Sequence, residues 1–156
     1  MSKKKVSESV ITMTELVLPN HTNTLGNLLG GQLMHWIDIC AALCAAKHSQ
    51  RVCVTASVDR IDFHHPVKLG QVVTLTAKLN RVFNTSMEVG VEVIAESFTE
   101  GKRFHSNSAF LTFVSVDENN HAVKAPPVIP ETEEEKKNFD DALKRRENRL
   151  KSKPPL

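Results

Sequence analysis

Cysteine is scarce in this chain: three among 156 residues, at Cys40, Cys44 and Cys53. An odd number argues against a disulfide framework. The N-terminus reads Met1-Ser2-Lys3-Lys4-Lys5 with no apolar run behind it. A secretory leader needs such a run, so the expected compartment is the cytoplasm. No window approaches the roughly 18 uninterrupted apolar residues of a membrane span. The most apolar stretch, Ile37 to Ala46, is short and interrupted by Asp38. Neither sign of charge dominates: the net charge is +2 with histidines neutral, too weak a bias to imply nucleic acid or a membrane surface as partner. No Cys-x-x-Cys spacing with a companion histidine marks a zinc site, so no metal is expected. The P-loop pattern, the dinucleotide GxGxxG pattern and the GxSxG nucleophile elbow are also missing, as is any internal repeat.

What is present suits a single domain with a buried core, since 40% of the residues are hydrophobic. Residues 1–7 read as a disordered basic tail. Alternation from Ser9 to Leu18 predicts a first strand, closed by Pro19. A polar, glycine-bearing loop, Asn20 to Gly31, leads into a helix expected from Gly31 to Ser49. That helix is apolar almost all round and is expected to be buried on nearly every side. Its alanines and cysteines keep it thin, and Cys40 and Cys44 share one face as small core side chains. Lys47 and His48 put positive charge near its C-terminal end. Four strands should follow, Arg51 to Phe63, Gln71 to Phe83, Ser86 to Ser97 and Arg103 to Val116. In the third of these Met87, Val89, Val91, Val93 and Ala95 take one face and Glu88, Glu92 and Glu96 the other. An extended linker, Pro126 to Pro130, then precedes a charged helix opened by a capping box of Thr132 and Glu135. Its thin apolar stripe, Phe139, Leu143 and Leu150, suits packing on the domain or on a neighbouring subunit. Strands joined by short connections pair antiparallel, and the sheet they form must curl around the one apolar helix.

Two features need chemistry. Asp38 lies mid-helix among apolar neighbours, where an unpaired carboxylate costs several kcal/mol. Three readings stay open: a structural partner to a donor, a residue on a partly open face at a subunit interface, or a catalytic base or nucleophile in a cleft. The second feature is Thr22 to Gly31, with three glycines at 26, 30 and 31 where a helix begins. Free N–H groups at such a helix start can face an oxyanion, and a conformational need alone would also explain the glycines. Asp38 stands seven residues after Gly31, about 10 Å along a helix. If both serve one carbonyl group, the simplest solution is that one of them comes from a second subunit. His64 and His65 are adjacent and on a strand would point to opposite faces, which speaks against a joint metal site.

The run Asn20-His21-Thr22-Asn23-Thr24-Leu25-Gly26-Asn27-Leu28-Leu29-Gly30-Gly31-Gln32-Leu33-Met34-His35-Trp36-Ile37-Asp38 resembles the signature of the hotdog-fold acyl-CoA hydrolases, the group that includes bacterial broad-range acyl-CoA thioesterases and animal brain-type acyl-CoA hydrolases. Further matches, in family order, are Val54 to Asp59, Asp62 to Val67, Thr85 to Val89 and Pro130 to Lys137. The resemblance spans about residues 10–150. It implies an α+β hotdog fold: an antiparallel sheet wrapped around one long central helix, here over residues 8–125, with a linker and C-terminal helix over 126–156. It implies hydrolysis of acyl-CoA to free fatty acid and coenzyme A without a cofactor. Partners would be the acyl-CoA substrate and a second copy of the chain, in a homodimer sharing a continuous sheet and commonly in a hexamer, a trimer of such dimers. The family's catalytic asparagine and aspartate match Asn23 and Asp38, with the backbone N–H near Gly31 at the carbonyl. Analogy places pantetheine near Ser57 and Val58 and nucleotide contacts near the Arg81 to Met87 turn, including Ser86, with Arg81 or Arg103 as candidates for phosphate.

Overall fold

In the computed structural model, residues 1–59, 61 and 63–152 are described. Five strands form one antiparallel sheet: β2 (Ile11–Leu16), β3 (Val52–Val58), β4 (Val72–Val82), β5 (Ser86–Ser97) and β6 (Lys102–Val116), in the order β2-β4-β5-β6-β3. The sheet curls around α1 (Gly30–Ser49), which touches all five strands. The hotdog architecture expected from the resemblance is therefore the one observed. The third predicted strand, Ser97 included, matches β5 residue for residue. The segment expected to continue as strand to Phe63 leaves the sheet after Val58; Arg60 and Asp62, both part of that expectation, lie outside the described residues.

The packing follows from side-chain size. Cys40, Ala41, Cys44 and Ala45 are fully buried on the sheet side of α1, against Leu75, Val89, Val93, Leu111 and Phe113. Short side chains let the strands approach the helix axis closely, as a wrapped sheet requires. Burial pushes the Cys40 thiol up to about 11 and the Cys44 thiol to about 12, so both stay protonated core residues.

The helix is not buried on every side, however. Ile39 and Leu43 are 36% and 48% exposed, and with His35, Ala42 and Ala46 they make an open stripe at helical spacing on this single chain. The apolar run all round the helix thus serves two surfaces, one against the sheet and one left uncovered.

Three bulges interrupt the ladders, where β3 passes Ala56, β4 passes Asn80 and β6 passes Ser106. Each inserts one unpaired residue and turns its side chain out of the alternation. Asn80 thereby reaches Glu88, its Nδ2 donating to Oε1 at 2.9 Å. Gly90 makes room for it, since a Cβ there would stand 2.9 Å from Asn80 Nδ2.

Glu88, placed by alternation on the face opposite Met87 and Val89, is fully buried as well. The second helix, α2 (Glu133–Ser152), covers it. Thr132 Oγ1 accepts the Glu135 N–H, as the capping box predicts, while Glu135 Oε1 takes the N–H of Glu131. Arg145 grips Glu88 through Nε and Nη2, the latter at 2.6 Å, and its guanidinium stacks 3.7 Å from the centre of the Phe110 ring. Arg149 adds a bond to Asp59 at 3.3 Å. The helix therefore packs on its own domain. A buried carboxylate with its cation removed is strongly destabilising.

The N-terminal tail is not disordered throughout. β1 (Lys4–Lys5) pairs in parallel with β7 (Val128–Ile129), within the segment read as a linker, and Val6 is buried in the core. Lys4 Nζ donates to the carbonyl of His48, so the tail adds a cation to the one that Lys47 supplies at the end of α1. His48 itself is fully buried and donates from Nε2 to Pro126 O at 2.7 Å. Burial lowers its proton affinity below that of free imidazole, outweighing the opposing pull of the Pro126 carbonyl.

Two outcomes are expected. Arg145→Ala should cost about 2–4 kcal/mol in urea unfolding and loosen hydrogen exchange along α2 first; an unchanged midpoint would show that the pair does not hold the helix. For His48 the unfolded chain takes up a proton near pH 6.5 that the folded chain refuses, so stability falls as pH drops below 6.5. The slope approaches about 1.4 kcal/mol per pH unit for this one group. His48→Gln should flatten that dependence relative to the parent, and an identical slope in the two proteins would exclude His48 as its source.

Candidate active site

Asn23 is held by its own loop. Its Oδ1 accepts the N–H groups of Leu25 at 2.9 Å and Asn27 at 3.1 Å, while its main chain bonds Asn27 O and Gly26 N. Gly26 sits at φ +75°, where a side chain would be strained. With the amide oxygen committed, the Nδ2 hydrogens are what Asn23 offers to the cavity it lines. Gly30, the first residue of α1, lines the same cavity of about 340 Å³. The first bond back along the helix runs from Leu33 N to Leu29 O, so the N–H of Gly31 precedes the intrahelical ladder. Gly31 has open space around its Cβ position.

Asp38 occupies the open stripe of α1, half-buried. Thr55 Oγ1 on β3 donates to Asp38 Oδ1 at 2.8 Å. A carboxylate offers about four lone-pair sites, and this bond fixes its rotamer while using one of them. The carboxylate stands at one end of an apolar groove of about 670 Å³, walled by Ile39, Ala42, Leu43 and Ala46 of α1 and by Val52 and Cys53 of β3. The Asn23 cavity and the Asp38 groove have no lining residue in common. On one chain the two lie apart, as the helical spacing requires.

The remaining site expectations fare unevenly. Ser57 pairs across from Thr112, on the outer face, whereas Thr55 pairs with the core residue Phe113 and Val58 with the core residue Leu111. The bulge at Ala56 separates Ser57 from Thr55 in this way, so Val58 shares the face of Asp38 and Ser57 does not. Met87 is fully buried opposite Phe113 and offers no side chain to a ligand. Ser86 accepts a bond from Arg146, and Arg81 donates to Phe139 O while its guanidinium lies 3.9 Å from the centre of that residue's ring. The Arg81 to Met87 turn is thus engaged with α2. Thr55 was missed as a site residue. Its only signal was a hydroxyl at an inward-facing position of a strand otherwise apolar there, and the bulge beside it is invisible in the alternation.

Among the described residues no cluster of three or more His, Cys, Asp or Glu side chains is arranged for a metal ion.

A family model described as the thioesterase superfamily matches residues 25–102. The chain belongs to that family. It is 48% identical over 140 residues to the mouse acyl-coenzyme A thioesterase 11, covering 90% of this chain and 23% of the mouse protein, so it spans about a quarter of that relative's length. A crystal structure of an apo hexameric acyl-CoA thioesterase superposes with a TM-score of 0.93 at 40% identity over 97% of each chain. The acyl-CoA hydrolase of Staphylococcus aureus, solved with butyryl coenzyme A, coenzyme A and coenzyme A disulfide, gives a TM-score of 0.89 at 35% identity over 95% of this chain and 90% of its own. That enzyme has also been solved as single alanine variants of an asparagine, an aspartate and a threonine. Their spacing, 15 and 17 residues, is that of Asn23, Asp38 and Thr55 here.

Proposed function

We infer that this thioesterase-superfamily protein hydrolyses acyl-CoA to free fatty acid and coenzyme A, at sites each built from two copies of the chain. The observation that carries this reading is the pair of half-sites: an amide donor and helix N-terminus in one cavity, and a hydroxyl-braced carboxylate in another. The surface between them is apolar and open. Ile39 and Leu43 of α1 and Val52 and Val58 of the edge strand β3 are all exposed. A second chain that pairs along β3 extends the sheet, satisfies its edge and covers that stripe. Three such dimers make the hexamer that we favour. The hotdog unit over 8–125 supplies both half-sites, and α2 with its connection completes the outer face. We assign the protein to the cytoplasm; no helix among the described residues is long and apolar enough to cross a membrane.

In the assembled site the Asn23 amide and the Gly31 N–H donate to the thioester oxygen, where negative charge develops. Asp38 of the facing chain, oriented by Thr55, acts on the carbonyl carbon in one of two ways. As general base it takes a proton from water, whose oxygen bonds to that carbon. As nucleophile it forms an anhydride that water then opens. In either route the C–S bond breaks and the thiolate leaves; because a thiolate is a good leaving group, no cofactor is called for. Val58, on the inward face beside Thr55, is placed to line the pantetheine path. Ser57 stands on the other face and Arg81 is engaged with Phe139, so neither is assigned a substrate contact.

Asp38→Ala should abolish thiol release from acyl-CoA while the oligomer persists in sedimentation; full activity in a folded variant would remove Asp38 from the mechanism. Asn23→Ala should lower kcat by the equivalent of about 2–4 kcal/mol, the weight of one oxyanion donor. Asn23→Asp keeps the loop's acceptor and loses the donors, so it should be equally slow with its loop intact. A rate like the parent's in both variants would leave Asn23 without a role.

A further inference from the structure

The cavity beside Asn23 is walled by Leu28, Leu33, Phe63, Pro66 and Val67, with His65 and Ser106 among its polar points. No lysine or arginine among the described residues lines it. On the thioesterase reading, a carbonyl held at Asn23 has two arms. The coenzyme arm carries phosphates, which demand cations and water. The acyl arm is apolar and gains by leaving water. A half-enclosed cavity with five apolar side chains in its wall and no lysine or arginine among its lining residues fits the second arm better than the first. We propose that the acyl chain of the substrate enters this cavity and that Phe63, Val67 and Ser106 fix the length it accepts.

Each of the three has a structural reason to act as a wall. The Phe63 ring lies over the first turn of α1: a Cβ at Gly30 would come 3.6 Å from Phe63 Cζ, so the ring narrows the mouth next to the oxyanion donors. Val67 is pinned to the asparagine loop, its carbonyl accepting the Leu28 N–H at 2.7 Å. Ser106 is the bulged residue of β6, between Asn107 opposite Val93 and His105 opposite Ile94. It is 2% exposed and donates to Asn107 Oδ1 at 2.6 Å, which fixes its side chain within the cavity wall. The volume sets the scale. A dry cavity of about 150 Å³ takes one benzene ring, so about 340 Å³ holds roughly a dozen carbon-sized atoms. That capacity suits short and medium acyl chains.

The test is the ratio of kcat/KM between acyl-CoAs of different length, from two to sixteen carbons, read by thiol release in the full-length protein. The parent is expected to peak at or below about twelve carbons. Phe63 is half-exposed, so Phe63→Ala leaves the core intact. It should raise the sixteen-carbon rate relative to the four-carbon rate by about tenfold. Val67→Leu adds one methylene to the wall and should lower the twelve-carbon rate relative to the four-carbon rate by about tenfold, the usual weight of a methylene in an apolar pocket. If Val67→Leu does not fold, Phe63→Ala decides alone. Two active variants that keep the parent's length profile would overturn the acyl assignment and leave the thioesterase reading standing. A folded parent that releases no thiol from any acyl-CoA would sink both.

Discussion

Everything in this molecule depends on one helix being thin. The fully buried cysteines and alanines of α1 let a five-stranded sheet close around it, and that closure fixes where the asparagine loop and Asp38 lie. The N-terminus of the helix opens beside the asparagine loop, and its third turn carries Asp38 outward onto an uncovered stripe. A helix apolar on all sides normally reads as wholly buried. Here one part of that apolar surface belongs to the chain's own core, and another part is left exposed. Leaving Ile39 and Leu43 in water carries a cost that burial against another apolar surface would remove.

The bulges show how a regular sheet is adapted to a site. The one at Ala56 separates Thr55 from Ser57 and leaves the threonine facing Asp38. The one at Asn80 delivers a side-chain amide to the buried Glu88. The one at Ser106 sends a hydroxyl into the wall of the asparagine cavity. In each case one unpaired residue escapes the period-two alternation, and that residue or its neighbour carries a polar contact that a flat ladder would have turned away.

The outer face is organised by arginine. Arg145, Arg146, Arg149 and Arg81 each join α2 to the sheet, and three of them also stack on aromatic rings. A guanidinium suits this work because its flat fork bonds a carboxylate while its face rests on a ring. The result removes Glu88 from water with its charge compensated. It also ties Asp59, just beyond β3, to the far helix. The β3 strand is thereby braced from outside while Thr55 bonds Asp38 on the inside.

The sequence alone determined the order of the long elements, the wrapped helix, the two faces of the Ser86–Ser97 strand and the oddity of Asp38, because these rest on local periodicity and on the cost of a lone acid among apolar neighbours. Together with the family signature it also singled out Asn23. Only the tertiary structure decided that Thr55 braces Asp38, that Ser57 looks the other way, that Lys4 and Val6 are tied into the fold, and that Glu88 lies beneath α2. Those outcomes depend on bulges and on contacts between residues far apart in the chain, such as Arg145 with Glu88 and Lys4 with His48. A period-two pattern cannot reveal a single inserted residue, and a charge pattern cannot reveal which distant partner will be there to meet it.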